Sequence, residues 1–320
     1  MGKNIIMKKE IYLILKGRIG NQLFMYAFAK EIQKSLGNEA EIIIDDSEVI
    51  SLNWENSLQF YDLENVKYVH NKSLLKSKKW IFKYAMLKAA EKICNFNSDF
   101  MKKFSREKLL KPLLSFFGIF LCENGFMKFR TGNKSKYLLC GYFQSEKYFE
   151  NVKNELKDIF SLKHKKLEYQ NLEVIANSNT VCVSIKIEHN VGSSMYAVCG
   201  KEYWKEAINF IISKVPNPTF FICSDDISYV KSNLIDCSKY NVVFQDMSQP
   251  VYKSLAVMSM CKHFIIGNTT FGWWAQYLSN NSNKIVVAPN QWMLVKMPID
   301  IYEKNWILID VKKYLGNNAL

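Results

Sequence analysis

The sequence predicts an α/β protein made of two Rossmann-like domains that face a cleft. In both halves of the chain, short apolar segments typical of buried strands alternate with amphipathic segments typical of helices. A length of 320 residues suits two domains of ordinary size. A polar stretch near residues 150–175 marks the boundary, which gives an N-terminal domain of residues 1–160 and a C-terminal domain of residues 161–320.

The N-terminal half opens with one strand–helix–strand unit. The apolar run of residues 11–15 predicts a buried strand, and residues 21–36 have apolar side chains at helical spacing. Gly37 stands where such a helix ends, and residues 40–46 predict a second strand. The rest of this half is rich in helical patterns and loops.

Strands and helices alternate again in the second half of the chain. Strands are predicted over residues 181–187, 219–226, 241–244, 263–267 and 284–289. Helices are predicted over residues 201–215, 226–234, 251–260 and 270–278. Repeated strand–helix units predict parallel sheets that are covered by helices on both faces.

Composition limits the class of protein. A hydrophobic fraction of 48% excludes a disordered or fibrous chain. Residues 1–10 are too polar for a secretory signal, and no segment has the roughly 18 apolar residues that span a bilayer, so we expect a cytoplasmic protein. The eight cysteines form no C-x-x-C pair and the four histidines lack metal-ligand spacing. We therefore expect reduced thiols and no metal site.

Polar side chains follow several predicted strands, and open parallel sheets bind ligands beyond the carboxyl ends of their strands. The segment of residues 16–22, KGRIGNQ, is either a tight structural turn or a loop whose backbone approaches a ligand closely. Ser224, Asp225 and Asp226 either cap the following helix or offer carboxylates to the hydroxyl and N–H groups of a nucleotide. Both alternatives remain open for each segment.

Two further strand ends carry polar side chains. Residues 268–270 offer hydroxyl and amide groups suited to a phosphate, and Trp273 and Trp274 behind them are expected in the core. Lys186 closes a predicted buried strand and therefore needs an anionic partner or access to solvent. His189 is expected to be an ordinary loop residue.

Five motifs, in order along residues 11–292, resemble glycosyltransferase family 11, the α-1,2-fucosyltransferases. They are GRIGNQLFMYAFA (17–29), GYFQSEKYFENV (141–152), FFICSDDISYVK (220–231), MSMCKHFIIGNTTFGWWAQYL (258–278) and VVAPNQW (286–292). The resemblance implies a GT-B fold and transfer of fucose from GDP-fucose to an oligosaccharide or lipid-linked glycan acceptor. It also implies a role in surface-polysaccharide synthesis and no obligatory metal or other cofactor.

The resemblance further implies which residues bind the donor. Asn21 is expected to contact the donor phosphate, residues 268–271 the diphosphate, and Asp225 or Asp226 the nucleoside. The full set of expected donor-binding residues is Arg18, Gly20, Asn21, Gln22, Ser224, Asp225, Asp226, Asn268, Thr269, Thr270 and Phe271.

One motif departs from the family pattern. The family's H-x-R-R-x-D corresponds to residues 184–189, where Lys186 stands in place of the first arginine and keeps its charge. We expect Lys186 to stabilise the departing diphosphate of an inverting reaction, with the catalytic base unassigned. The departure leaves two alternatives open: another nucleotide sugar as donor, and a non-catalytic protein that binds a nucleotide or carbohydrate.

The positive charge of the chain is concentrated in one window. Residues 71–135 hold 15 Lys or Arg against 4 Asp or Glu, a net +11 of the total +13. Because the positive charge is confined to one window and no nucleic-acid-binding motif accompanies it, we do not expect a nucleic-acid partner. Residues 74–122 combine lysines with apolar residues such as Phe82, Met86 and Ala89. They are either a solvated helical face with a core segment or a peripheral contact with an anionic inner membrane face.

Overall fold

The computed structural model describes residues 8–70, 78–162, 167–188 and 190–314, which form two compact units. The first unit contains the described residues up to Ile159 together with Met297–Ile301, and the second contains the remainder. The sequence predicts that all of residues 161–320 belong to the second domain. Met297–Ile301 lies with the first unit because Asp300 accepts hydrogen bonds from Ser145 and Lys147.

A five-stranded parallel sheet forms the centre of the first unit. Its strands are β1 (Glu10–Ile14), β2 (Glu41–Asp45), β3 (Val66–Val69), β4 (Ile119–Cys122) and β5 (Lys136–Gly141). They lie in the order β3-β2-β1-β5-β4, and every pair of neighbours is parallel. The predicted strands β1 and β2 are confirmed, whereas β3, β4 and β5 were not predicted as strands.

Helices cover both faces of this sheet. The helices of the first unit are α1 (Ile19–Leu36), α2 (Ser47–Ser51), α3 (Lys78–Cys94), α4 (Phe100–Phe116) and α5 (Lys153–Phe160), of which α1, α3 and α4 pack on the sheet. Phe28 of α1 packs against Phe120 of β4, with ring centroids 5.5 Å apart. The next residue, Leu121, points to the opposite face, where it joins a core cluster with Trp80 of α3 and Leu114 of α4.

The second unit contains a six-stranded parallel sheet. Its strands are β6 (Thr180–Ile185), β7 (Thr219–Ser224), β8 (Asn241–Phe244), β9 (His263–Ile266), β10 (Val286–Pro289) and β11 (Ile307–Ile309). Their order is β11-β10-β9-β6-β7-β8, the order of a dinucleotide-binding Rossmann fold. Five of these strands match predictions, and β11 was not predicted. The two parallel α/β units confirm the predicted fold class.

The helices of the second unit are α6 (Leu172–Asn177), α7 (Lys201–Ile212), α8 (Ile227–Tyr229), α9 (Val251–Ser259) and α10 (Thr270–Leu278). The helix predicted over residues 226–234 is only the short α8, followed by a wider π-helical turn over Val230–Leu234. Trp273 and Trp274 of α10 are fully buried, which confirms their predicted core role.

Gly272 allows α10 to pack closely on β6. A Cβ atom at Gly272 would lie 2.8 Å from the Ser184 Oγ atom and 2.9 Å from its Cβ atom. Any larger residue would therefore push the N-terminus of α10 away from the end of β6. The close packing fixes the start of α10 beside the strand that leads to Lys186.

Two composition-based expectations can be compared with the described residues. All eight cysteines lie within the described residues, and none of them forms a disulfide in the structure. Within the described ranges, no helix has both the length and the apolar character needed to cross a bilayer.

Candidate functional site

Each sheet has a switch point, where the chain leaves a central strand first towards one edge and later towards the other. In the second unit this point lies between β6 and β9, and in the first unit between β1 and β5. Ligands of open α/β sheets bind beside such points, at the carboxyl ends of the strands. The segments predicted from the sequence as ligand sites, residues 16–22, 186 and 268–271, lie at these ends.

Gly17 shapes the loop between β1 and α1. Its φ of +69° is unfavourable for other residues, and a Cβ atom there would lie 2.5 Å from the Asn21 Nδ2 atom. Arg18 is exposed at the N-cap of α1, with its guanidinium 5.8 Å from the centroid of the Trp54 ring. Gly20 is buried in the first turn of α1. The loop thus presents Arg18 and Asn21 at the carboxyl end of β1.

Gln22 supports this loop from behind. Its side chain is fully buried, and its Nε2 atom donates to the carbonyl oxygens of Gly17, at 2.9 Å, and Glu55, at 2.8 Å. Its Oε1 atom accepts a hydrogen bond of 2.8 Å from the backbone N–H of Ser57. The structure therefore assigns Gln22 a positioning role, in place of the donor contact implied by the resemblance.

Gln144 belongs to this site although the sequence did not predict it. It follows β5, and its Nε2 atom donates a hydrogen bond of 2.9 Å to the Asn21 Oδ1 atom. The bond joins the loops that follow β1 and β5, on the two sides of the switch point. The GYFQS motif contained the signal, because Gln144 is its polar residue directly after an apolar run.

Lys186 follows the last residue of β6 and lies between two carboxylates. Its Nζ atom is 2.6 Å from Asp225 Oδ2 and 2.9 Å from Glu188 Oε2, and 26% of its side chain is exposed. The predicted anionic partner is therefore present. His189, which follows Glu188, lies outside the described residues.

Asp225 holds the turn that carries Lys186. Besides the lysine, it accepts hydrogen bonds from the backbone N–H groups of Ile187, at 2.7 Å, and Glu188, at 2.9 Å. Burial raises the pKa of the Asp225 carboxyl, but Lys186 and these two N–H groups outweigh burial and lower it below its usual value. Asp225 is thus ionised at neutral pH and its oxygens are engaged in ordering this turn.

Ser224 and Asp226 stabilise the start of α8. The Asp226 Oδ1 atom accepts a hydrogen bond of 2.8 Å from the backbone N–H of Tyr229, which confirms the capping interpretation for this residue. The Ser224 Oγ atom is buried at the end of β7 and accepts a bond of 3.1 Å from the backbone N–H of Asp226.

The residues before and at the start of α10 differ in burial: Asn268 supports other loops, whereas residues 269–271 are more exposed. Asn268 is buried, and its Nδ2 atom donates to the carbonyl oxygens of Tyr196, at 3.1 Å, and Trp292, at 3.0 Å. Thr269 caps α10 by accepting a bond of 3.2 Å from the backbone N–H of Phe271. Thr269, Thr270 and Phe271 are half-buried at the positive end of α10, where the helix dipole favours an anion.

A buried charged cluster lies behind the β1–α1 loop. The Lys16 Nζ atom is 3.0 Å from Glu123 and 3.7 Å from Glu91, and Lys103 is 2.5 Å from the other oxygen of Glu123. Burial raises the pKa of Glu123, but the two lysines outweigh it and lower that pKa below its usual value. Glu107 is fully buried, and burial raises its pKa to about 8.

The same cluster contains a possible set of metal ligands. Among the residues that the structure describes, ligand atoms of Glu91, Glu123 and Cys140 lie within 4.8 Å of one another. The ammonium groups of Lys16, Lys88 and Lys103 pair with these two carboxylates and would repel a divalent ion at short range. These residues therefore fit a lysine-centred ion-pair network better than a metal site.

Comparisons with known proteins agree with the motifs. The model of "Glycosyl transferase family 11" matches residues 10–310. The O-antigen biosynthesis glycosyltransferase WbnK of Escherichia coli is 24% identical over 320 residues, covering 93% of this chain and 99% of WbnK. An alpha-1,2-colitosyltransferase of Escherichia coli is 26% identical over 288 residues, covering 87% of this chain and 90% of that protein. Among solved structures, fucosyltransferase NodZ from Bradyrhizobium aligns with a TM-score of 0.48 at 12% identity, over 85% of this chain and 93% of NodZ.

The family match includes all the loops described above, and the two Escherichia coli relatives align over nearly their whole length. The five motifs found in the sequence all fall within the matched residues. The chain therefore belongs to glycosyl transferase family 11 and is a glycosyltransferase.

Proposed function

We propose that this enzyme transfers fucose from GDP-fucose to a hydroxyl group of an oligosaccharide, with inversion at the anomeric carbon and without a metal. The acceptor is a glycan under assembly into a surface polysaccharide. Membership of family 11 supports this proposal, as do the relatives named as an O-antigen glycosyltransferase and an alpha-1,2-colitosyltransferase. The observation that carries it is Lys186, held by Asp225 at the carboxyl end of β6, at the switch point that α10 also borders.

In the proposed reaction the acceptor oxygen forms a bond to the anomeric carbon as the bond from that carbon to the diphosphate breaks. The electron pair of the broken bond leaves with GDP, and the acceptor proton passes to a base that we do not assign. Negative charge therefore grows on the diphosphate. Lys186 and the positive end of α10 offer preorganised charge to stabilise it.

A second donor is the main alternative, because one relative is named a colitosyltransferase rather than a fucosyltransferase. Mass spectrometry of products from separate incubations with GDP-fucose, a colitose donor and other nucleotide sugars tests both. Fucose transfer to an oligosaccharide supports the proposal, and exclusive use of another donor contradicts its donor assignment. Tight GDP binding without transfer from any donor would instead support a non-catalytic binding protein.

Activity is expected to survive saturating EDTA without loss. The reason is that Lys186 and the start of α10 already supply the positive charge that a divalent ion supplies elsewhere. Initial rates measured with EDTA, and again after addition of Mn²⁺, check this prediction. An activity lost in EDTA and restored by Mn²⁺ would contradict the metal-independent mechanism.

Replacing Asn21 or Thr270 with alanine is expected to weaken GDP binding about tenfold while leaving the melting temperature of the free protein nearly unchanged. Asn268→Ala is the matched comparison. It removes two hydrogen bonds to the backbone of other loops, so it should lower the melting temperature of the free protein. Thermal melting with and without GDP separates the two effects, because a ligand of the native state raises its melting temperature. If Asn21→Ala and Thr270→Ala bind GDP normally, neither residue contacts the donor and the prediction is wrong.

A further inference from the structure

The hairpin of α3 and α4 exposes large apolar side chains. Within the described residues, eight exposed large hydrophobic side chains lie in or beside this hairpin: Ile81, Phe82, Ile93, Phe96, Met101, Leu109, Leu113 and Phe116. The face of α3 that packs on the sheet consists of Trp80, Leu87, Ala90 and Cys94. Phe82 and Ala89, which the sequence analysis grouped as apolar positions, are therefore on the exposed side of α3.

A basic pocket of about 180 Å³ lies near the start of α3. It is lined by Lys79, Phe82, Lys83, Lys134, Ser135 and Lys136. Phe82 packs on Phe117 with ring centroids 5.5 Å apart, and Phe117 packs on Phe116 at 5.1 Å. The Lys134 Nζ atom lies 4.9 Å from the centroid of the Phe116 ring. The basic pocket and two of the most exposed aromatic rings are thus one continuous surface.

The lysines of the basic pocket repel one another. Burial and the neighbouring cations Lys134 and Lys136 lower the pKa of Lys83 to about 8. Lys136 forms an ion pair with Glu10, and Lys83 donates a hydrogen bond to the carbonyl oxygen of Phe117. An anion bound among these lysines would relieve their repulsion, so the basic pocket suits a phosphate group.

The basic pocket is separate from the donor-binding loops. Lys136 begins β5, and Glu10, its ion-pair partner, begins β1. All strands of this sheet are parallel, so the basic pocket lies at their amino-terminal edge, opposite the edge that bears Gly17 and Asn21. A nucleotide sugar bound at the carboxyl ends of the strands would not reach it.

We propose that the basic pocket binds the phosphate headgroup of an anionic lipid while Phe82 and Phe116 enter the membrane interface. Lysines beside exposed aromatic rings are typical of proteins that lie on an anionic bilayer surface. The aromatic rings favour a lipid over free phosphate, because a soluble anion would use the lysines alone. Attachment here would bring the enzyme to the surface on which lipid-linked glycans are presented.

The test is co-sedimentation of the full chain with phosphatidylcholine vesicles that contain a rising fraction of phosphatidylglycerol, at low and high salt. Binding should rise with the anionic fraction and fall with salt, because salt screens charges beyond the Debye length. Replacing Lys79, Lys83 and Lys134 together with glutamine should weaken binding about 100-fold. The double variant Phe82→Ser, Phe116→Ser should also lose binding although it keeps all the lysines of the basic pocket.

The matched control replaces Lys205, Lys214 and Lys239 with glutamine, three exposed lysines of the second unit. This control changes the net charge by the same amount as the pocket variant, and it should bind vesicles as tightly as the unchanged chain does. Equal binding by the control and the pocket variant would overturn the proposal. It would also be overturned by full binding of the aromatic double variant, or by an unchanged chain that binds glycerol phosphate or RNA but no vesicles.

Discussion

Replacing Lys186 with alanine is expected to lower kcat by about 30- to 1,000-fold, which corresponds to a rise of about 2 to 4 kcal/mol in the reaction barrier. The ammonium group would no longer stabilise the charge that grows on the departing diphosphate. Two carboxylates, Asp225 and Glu188, would also lose their cation and would repel the diphosphate. Both effects act most strongly in the transition state, so kcat should fall more than GDP affinity.

Two further variants make this result specific. Lys186→Arg keeps the charge and should retain substantial activity, although its planar guanidinium must fit between the same two carboxylates. Lys205→Ala, which removes an exposed lysine of α7 in the same unit, should leave kcat unchanged. The measurement is initial rate at saturating donor and acceptor, with GDP binding followed by thermal shift. Normal turnover by Lys186→Ala would refute the role given to this lysine.

The strands that the sequence predicted correctly have a strong apolar signal, and all of them except β10 have a helix after them. Strand β6 (Thr180–Ile185) is buried along its whole length and lies in the middle of its sheet. The missed strands β3 and β11 are short edge strands. Exposed Lys67 interrupts the apolar pattern of β3, whereas β11 is apolar but only three residues long. Strand β5 has the apolar residues, but short 3₁₀ turns follow it, so no strand–helix unit could be recognised.

The sequence located the candidate site but not the task of each side chain in it. Polar residues after apolar runs identify strand ends, and all the predicted loops lie there. What a side chain contacts depends on segments distant in the sequence. Gln22 bonds to the backbone of Glu55, and Asn268 bonds to that of Trp292. Only the folded chain distinguishes such supporting amides from those that are presented to a ligand.

Glu107→Gln is expected to stabilise the protein by an amount that grows with pH. Burial raises the pKa of this carboxyl in the folded state to about 8. In the unfolded chain a glutamate has a pKa of about 4.3. Between these values the folded state holds a proton that the unfolded state has released. The free energy of unfolding of the unchanged chain therefore falls by about 1.4 kcal/mol for each pH unit in this window. Glutamine resembles the neutral acid and does not titrate, so the variant does not lose this free energy of unfolding as the pH rises.

Urea unfolding of both proteins at about pH 5 and about pH 8 measures this effect, and the stability advantage of Glu107→Gln should increase by about 3 to 4 kcal/mol between them. Taking the difference between the two proteins cancels every other titrating group. Glu123→Gln is the matched control, because Glu123 is ionised and paired with Lys16 and Lys103. The replacement removes the close carboxylate partner of both lysines, leaving Lys16 only its longer contact with Glu91, and should destabilise the fold by about 3 kcal/mol. If the difference in stability between Glu107→Gln and the unchanged chain stays constant over this range, the prediction is wrong. Glu107 would then ionise at the same pH in the folded and unfolded states, and the cluster behind the β1–α1 loop would accommodate its charge.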